Sequence, residues 1–195
     1  AVVRTARHWL GDRRGVAAVE FAAIAPILLS LYFVTMEVAQ GIEVNKKVGR
    51  VGSMVADLVT QQQSIKRAEV EAVLSIGESI LQPYNRSRPT ITVTAIRLSD
   101  QPTPEARVVW SRKLIDGKNT DGATKNSIAA VPDSLKIRNT FLIKVESELA
   151  YSPVVTWSAD QKGALGLAAA FDGISMREVY FLRPRMSQAI PCSDC

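Results

Sequence analysis

An apolar run near the N-terminus constrains the fold of this chain more than any other feature. Residues 16–38 read VAAVEFAAIAPILLSLYFVTMEV, with Glu20 and Glu37 as the only charged side chains. As an α-helix rising about 1.5 Å per residue, the run would reach roughly 34 Å, which exceeds the bilayer's hydrocarbon thickness of about 30 Å. The sequence therefore predicts one transmembrane helix over residues 16–38.

The charge distribution orients this helix. The formal net charge is +5, and residues 1–15 contribute +3 of it through Arg4, Arg7, Arg13 and Arg14 against Asp12. The remaining +2 is too weak and too scattered for a nucleic-acid groove, which usually shows a basic stripe with interleaved aromatic residues. Basic residues before a membrane span favour a cytoplasmic N-terminus, so the chain after the span is expected outside the cytoplasm.

Two other fates for the apolar run remain open. A secretory signal peptide needs small residues before its cleavage site, but a cut after Ala25 is followed by Pro26, and a cut after Ala39 has Glu37 at a small-residue position. The second alternative is a helical anchor that is never processed.

Glu20 is the unusual residue of the run. A carboxylate in the middle of a membrane helix costs about 2.5–3.5 kcal/mol on insertion scales, so such a residue usually has a function. The alternative is that Glu20 lies at the headgroup level and reaches water. The apolar residues on both sides of it, beginning with Phe21, argue against an accidental charge at this position.

The sequence offers little catalytic chemistry. Its single histidine, His8, precedes the apolar run, so residues 16–195 lack the commonest general base and metal ligand. No phosphate-binding loop, nucleophile elbow or zinc-protease pair is present. Cys192 and Cys195 have CxxC spacing without the strand and helix of a redox site, and a zinc site would need two more ligands. They form either a local disulfide or two unused thiols. We expect no enzyme activity, no metal and no cofactor.

Residues 13–22, RRGVAAVEFA, resemble the start of TadE-like proteins, the TadE and TadF pseudopilins of tight-adherence (Tad, or Flp) pili. In that family a membrane-embedded prepilin peptidase cuts after the glycine, and the fifth mature residue is a glutamate followed by an aromatic residue. Gly15, Val16, Glu20 and Phe21 occupy these positions. The resemblance is specific over about the first third of the chain and looser beyond it.

The resemblance implies a minor pilin-like subunit of the bacterial inner membrane. Residues 1–15 would be a cytoplasmic leader cleaved between Gly15 and Val16, residues 16–38 the transmembrane helix and residues 39–195 a periplasmic domain. Glu20 and Phe21 would act in subunit assembly, with Glu20 neutralising the new amino group of Val16. The expected partners are other pilin-like subunits, the pilus assembly platform and the prepilin peptidase, without nucleic acid or a small-molecule substrate. The rival interpretation is a membrane-anchored periplasmic binding domain unrelated to pili.

The rest of the chain predicts an α+β body. Apolar residues recur at three- and four-residue steps from Val44 to Leu81, with an interruption at residues 61–64 and a stop at Pro83. Strands are predicted over residues 90–98, 107–112, 141–151 and 175–182, with an irregular loop over residues 113–132. The fold class is therefore α+β and pilin-like, in which a long N-terminal helix, transmembrane and then amphipathic, packs on a small antiparallel sheet.

Overall fold

A computed structural model describes residues 15–84, 86–153 and 174–195, so only Gly15 of the predicted leader 1–15 lies within the described chain. The chain divides into two compact units, residues 1–40 and residues 41–195. The helices are α1 (Val16–Thr60) and α2 (Arg67–Ile80). The strands are β1 (Thr90–Leu98), β2 (Ala106–Ile115), β3 (Lys118–Asp121), β4 (Phe141–Ala150) and β5 (Ser175–Leu182), with a short 3₁₀ turn at Asp133–Leu135.

Helix α1 continues through the apolar run into the second unit. It is 45 residues long, contains Pro26, and is long and apolar enough to cross a membrane. From residue 41 onward it buries a stripe of valines, as the three- and four-residue spacing predicts. These valines are less than 7% exposed and belong to the main core: Val44, Val48, Val51, Val55 and Val59.

The predicted interruption between the two helices is confirmed. Helix α1 ends at Thr60, and α2 begins at Arg67 and ends at Ile80, before Pro83. The first residues of α2 are capped from within the helix, because the backbone N–H of Lys66 donates to Oε2 of Glu69 at 2.8 Å.

The five strands form one antiparallel sheet in the order β3-β2-β1-β4-β5. Its inner face packs on the helices, and buried residues along the central strands alternate with more exposed ones, as in Val93, Val145 and Leu149. The predicted α+β arrangement of a long apolar helix and an antiparallel sheet is therefore confirmed.

The irregular loop predicted over residues 113–132 is wrong for residues 113–121, which belong to two strands and the turn between them. Strand β2 continues to Ile115, turns through Asp116 and Gly117 at φ of 51° and 73°, and pairs with β3. An Asp-Gly pair with both residues at positive φ favours a tight hairpin. The signal was weak because every residue of β3 is exposed, so the strand shows no apolar alternation. The chain beyond β3 is also tied to the sheet, since Val108 and Ser127 are joined by a backbone hydrogen bond of 3.0 Å.

The outer face of the sheet is partly apolar. Leu142 lies on the same face of β4 as Lys144 and Glu146, yet it is 1% exposed. It belongs to a second, smaller core cluster that lies over the β1–β4 end of the sheet and consists of Ile96, Leu98, Ala106, Val131 and Leu142. The loop carrying Val131 covers this cluster. The alternation of apolar and polar residues within one strand cannot reveal that a loop distant in the sequence covers its outer face.

Candidate functional site

The first candidate site is the start of α1. The carbonyl oxygen of Gly15 accepts hydrogen bonds from the backbone N–H groups of Ala18 and Val19, each at 3.1 Å, so Gly15 immediately precedes the first helical turn. A Cβ atom placed on Gly15 would meet no atom within 4 Å in the part of the chain that the structure describes. The packing of the described residues therefore does not demand a glycine at position 15.

The surface that follows Gly15 is apolar and exposed. Phe21 is 71% exposed, and Glu20 beside it is also exposed. The most apolar 18-residue window of α1 has none of its residues buried. Most of its large side chains, including Ile24, Ile27, Leu28 and Leu31, are therefore available to lipid or to another helix.

Two hydroxyl side chains within the apolar run are satisfied locally. Oγ of Ser30 donates to the carbonyl oxygen of Ile27, and Oγ1 of Thr35 donates to that of Leu31, both at 2.8 Å. Hydroxyl groups bonded inside their own helix lower the cost of placing that helix in lipid, where unsatisfied polar groups are expensive. Of the two carboxylates in the run, Glu37 is buried and Glu20 is exposed, so Glu20 is the carboxylate whose placement in lipid needs an explanation.

The second candidate site is the pair of cysteines near the C-terminus. Cys192 and Cys195 are joined by a disulfide with a Cα–Cα distance of 5.6 Å. Together with Asp194 they form the cluster of potential metal ligands found among the described residues. Sulfur atoms in a disulfide are not the thiolates that bind zinc, so this oxidised arrangement is structural.

A third feature is a shallow groove on the outer face of the sheet. Its charged wall centres on Glu146, whose carboxylate lies 2.9 Å from Nζ of Lys144 and 2.5 Å from Nη2 of Arg177. Burial alone would raise the pKa of Glu146, but the hydrogen bonds and charges of these two cations outweigh it and lower the pKa below its ordinary value. Sequence analysis missed this groove, because its residues come from β4, β5 and the loop at residues 128–132.

Together these features define a class of protein: a small α+β body that continues from one exposed apolar helix able to cross a membrane. The model of the family described as TadE-like protein matches residues 15–56, which run from Gly15 through the apolar helix into the first buried turns of the body. The N-terminal part of this chain is therefore TadE-like, and the match supports an association with the Tad pilus. Searches of curated proteins and of solved structures found no match.

Proposed function

We propose that this protein is a minor pilin-like subunit, a TadE- or TadF-type pseudopilin, needed for assembly of a Tad pilus. The observation that carries the proposal is the family match over residues 15–56, which contains the glycine, the glutamate and the apolar helix in one continuous segment. The protein would be held in the bacterial inner membrane by α1, with its N-terminus in the cytoplasm and residues 39–195 in the periplasm. It would act by association with other subunits and not by catalysis.

Processing between Gly15 and Val16 fits the geometry of the helix start. A peptidase with a narrow pocket would require glycine at position 15, whereas this chain's own packing leaves room for a side chain there. The need for glycine would then come from the enzyme that cuts the chain. Cleavage would place a new amino group on Val16, the first residue of α1, so that Glu20 becomes the fifth residue of the mature chain.

Glu20 would act in subunit association. Its carboxylate and the new amino group of Val16 carry opposite charges, and the attraction between them grows as surrounding water is replaced by lipid and neighbouring helices. A pair formed between subunits would offset the cost of placing Glu20 in an apolar setting. Phe21 and the exposed residues after it would supply the apolar contact surface.

The N-terminal mass of the mature protein tests this proposal. We expect the native protein to begin at Val16, and Gly15→Val to accumulate as the longer, uncut form in the same membrane fraction. Ala22→Val is the matched control, because it places the same valine side chain at an exposed position of α1 and should leave processing unchanged. A native protein that retains Arg13 and Arg14 would contradict the proposal and favour an unprocessed anchor.

A further inference from the structure

The chain after β5 returns to the junction between the two helices. We call residues 183–195 the C-terminal strap. Its backbone begins this return at Arg185, whose N–H donates to the carbonyl oxygen of Thr60 at 3.0 Å, while its guanidinium lies 2.6 Å from Asp57. The strap therefore holds the last turn of α1 by a backbone bond and an ion pair.

The middle of the strap is anchored in the core. Ile190 is fully buried, and its carbonyl oxygen accepts a hydrogen bond of 2.8 Å from Nε1 of the buried Trp110 on β2. The next carbonyl, that of Pro191, accepts from the backbone N–H of Ile65 at 3.0 Å, and Ile65 pairs with Cys192 as a short parallel bridge. The strap is thus fixed as far as Cys192 by contacts that need no disulfide.

The end of the strap reaches the N-terminus of α2. Oδ1 of Asp194 accepts a hydrogen bond of 2.7 Å from the backbone N–H of Arg67, the first residue of α2 and 127 positions away in the sequence. The first N–H groups of a helix have no partner inside the helix, and a carboxylate there also interacts favourably with the helix dipole. Asp194 therefore caps α2 from a distant part of the chain, beside the local bond that Glu69 makes to Lys66.

The disulfide closes a short ring that contains Asp194. Asp194 is itself exposed, and its neighbour Ser193 is exposed as well, so packing does not hold the carboxylate in place. The Cys192–Cys195 bond closes a ring of four residues around Asp194, and the half-buried sulfur atoms pack against the main core. A closed ring restricts the conformations of the segment around Asp194. Forming the cap therefore costs less conformational entropy than it would in an open chain.

We propose that the Cys192–Cys195 disulfide is a redox-sensitive latch that holds Asp194 over the first turn of α2. A dithiol reductant would open it by supplying two electrons and two protons: the S–S bond breaks, two thiols form, and the reductant becomes a disulfide. The carboxylate then leaves Arg67, while the strap up to Ile190 stays anchored on Trp110. This inference rests on contacts within residues 41–195 and is independent of the pilus role.

Hydrogen exchange followed by mass spectrometry tests the latch on the full chain in detergent micelles, with and without dithiothreitol. We expect reduction to speed exchange in peptides covering residues 65–70 by about 2- to 30-fold, the range that follows from losing a helix cap. Asp194→Ala should give the same increase in the oxidised protein, and reduction of that variant should add almost nothing. Asp194→Asn keeps an acceptor oxygen and should preserve most of the protection, and Ser193→Ala is the matched control.

Two results would overturn the proposal. One is unchanged exchange at residues 65–70 after complete reduction, which would mean that Asp194 caps α2 without the ring. The other is an effect of reduction in Asp194→Ala as large as in the parent protein, which would mean that the disulfide stabilises the region by a route other than the cap. Because dithiothreitol acts on the folded parent protein and can be removed, the test does not depend on whether a cysteine variant folds.

Discussion

Two glycines of α1 face the same tyrosine at different distances, and alanine at each should change stability in opposite directions. A Cβ atom on Gly52 would lie 2.7 Å and 2.9 Å from ring carbons of Tyr180 and 2.9 Å from Oγ of Ser147. A Cβ atom on Gly49 would come within 3.2 Å of the Tyr180 hydroxyl oxygen, at the far end of that side chain. Ser147 has little room to move away from Gly52, because it is 1% exposed and its hydroxyl donates to the carbonyl oxygen of Val48 at 2.9 Å.

The expected magnitudes follow from two opposing effects. Replacing glycine by alanine inside a helix stabilises it by about 0.8–1 kcal/mol. Forcing extra bulk into a packed core costs about 1–3 kcal/mol. At Gly52 both effects apply, so Gly52→Ala should lower the free energy of unfolding by up to about 2 kcal/mol. At Gly49 a small shift of the Tyr180 hydroxyl removes the contact. Gly49→Ala should therefore leave the free energy of unfolding unchanged or raise it by up to about 1 kcal/mol.

Urea unfolding of the full chain in detergent, followed by tryptophan fluorescence, measures both variants under one condition. The buried Trp110 on β2 makes the signal sensitive to loss of the body's core. Adding Tyr180→Ala removes the ring contacts but leaves the contact with Ser147, so the loss caused by Gly52→Ala should be smaller in that background. A Gly52→Ala protein at least as stable as the parent, or an equal loss from Gly49→Ala, would refute the close packing of α1 on β5.

Two further substitutions test the charged groups. Glu20→Ala should insert into membranes at least as well as the parent, since it removes an insertion penalty of up to about 3 kcal/mol. The variant should nevertheless lose its crosslinks to other pilin-like subunits, and the cells should lose surface pili. Normal crosslinks and pili would leave a headgroup location as the only explanation for Glu20. Glu146→Gln should lower the free energy of unfolding at pH 7 by up to about 1 kcal/mol. The pKa of Glu146 is lowered in the folded state, so its carboxylate stabilises the fold above the unfolded pKa and loses this effect as the pH falls through the folded pKa. The difference between parent and variant should therefore shrink in acid, and a difference that is the same at pH 7 and pH 3 would contradict the ion pairs with Lys144 and Arg177.

Strands whose inner face is buried were predictable from sequence. Strands β1 and β5 have the predicted bounds, and β4 differs by one residue at its end. Strands β1 and β4 carry buried residues at alternate positions over most of their length, because one face meets the helices and the other is more open to solvent. Strand β3 has no such contrast, since it is a four-residue edge strand held by backbone pairing to β2. The sequence feature that indicates an edge strand of this kind is its turn, Asp116-Gly117.

The start of α1 and the cap on α2 also differ in how far the sequence could predict them. The start of α1 was found because its residues are adjacent in sequence, and a short motif contains them all. The cap on α2 joins Arg67 to Asp194 across 127 positions, and neither residue is unusual by type. The CxxC spacing left a disulfide and free thiols equally open, and it gave no indication that the residue between the cysteines contacts a helix. Contacts of this range depend on the path of the strap, which the anchoring of Ile190 on Trp110 determines.

Gly15 and Gly52 show how the proposed processing can be separated from folding. Gly52 is surrounded by Tyr180 and Ser147, so the need for a small residue there arises inside the molecule. Gly15 has open space around it in the described chain, so contacts among the described residues do not account for a glycine at that position. A processing defect in Gly15→Val without loss of stability, set against a stability loss in Gly52→Ala without a processing defect, would attribute the first glycine to an external partner. Loss of stability in both variants would instead mean that the helix start packs against the chain itself, and the argument for a peptidase pocket would lose its physical basis.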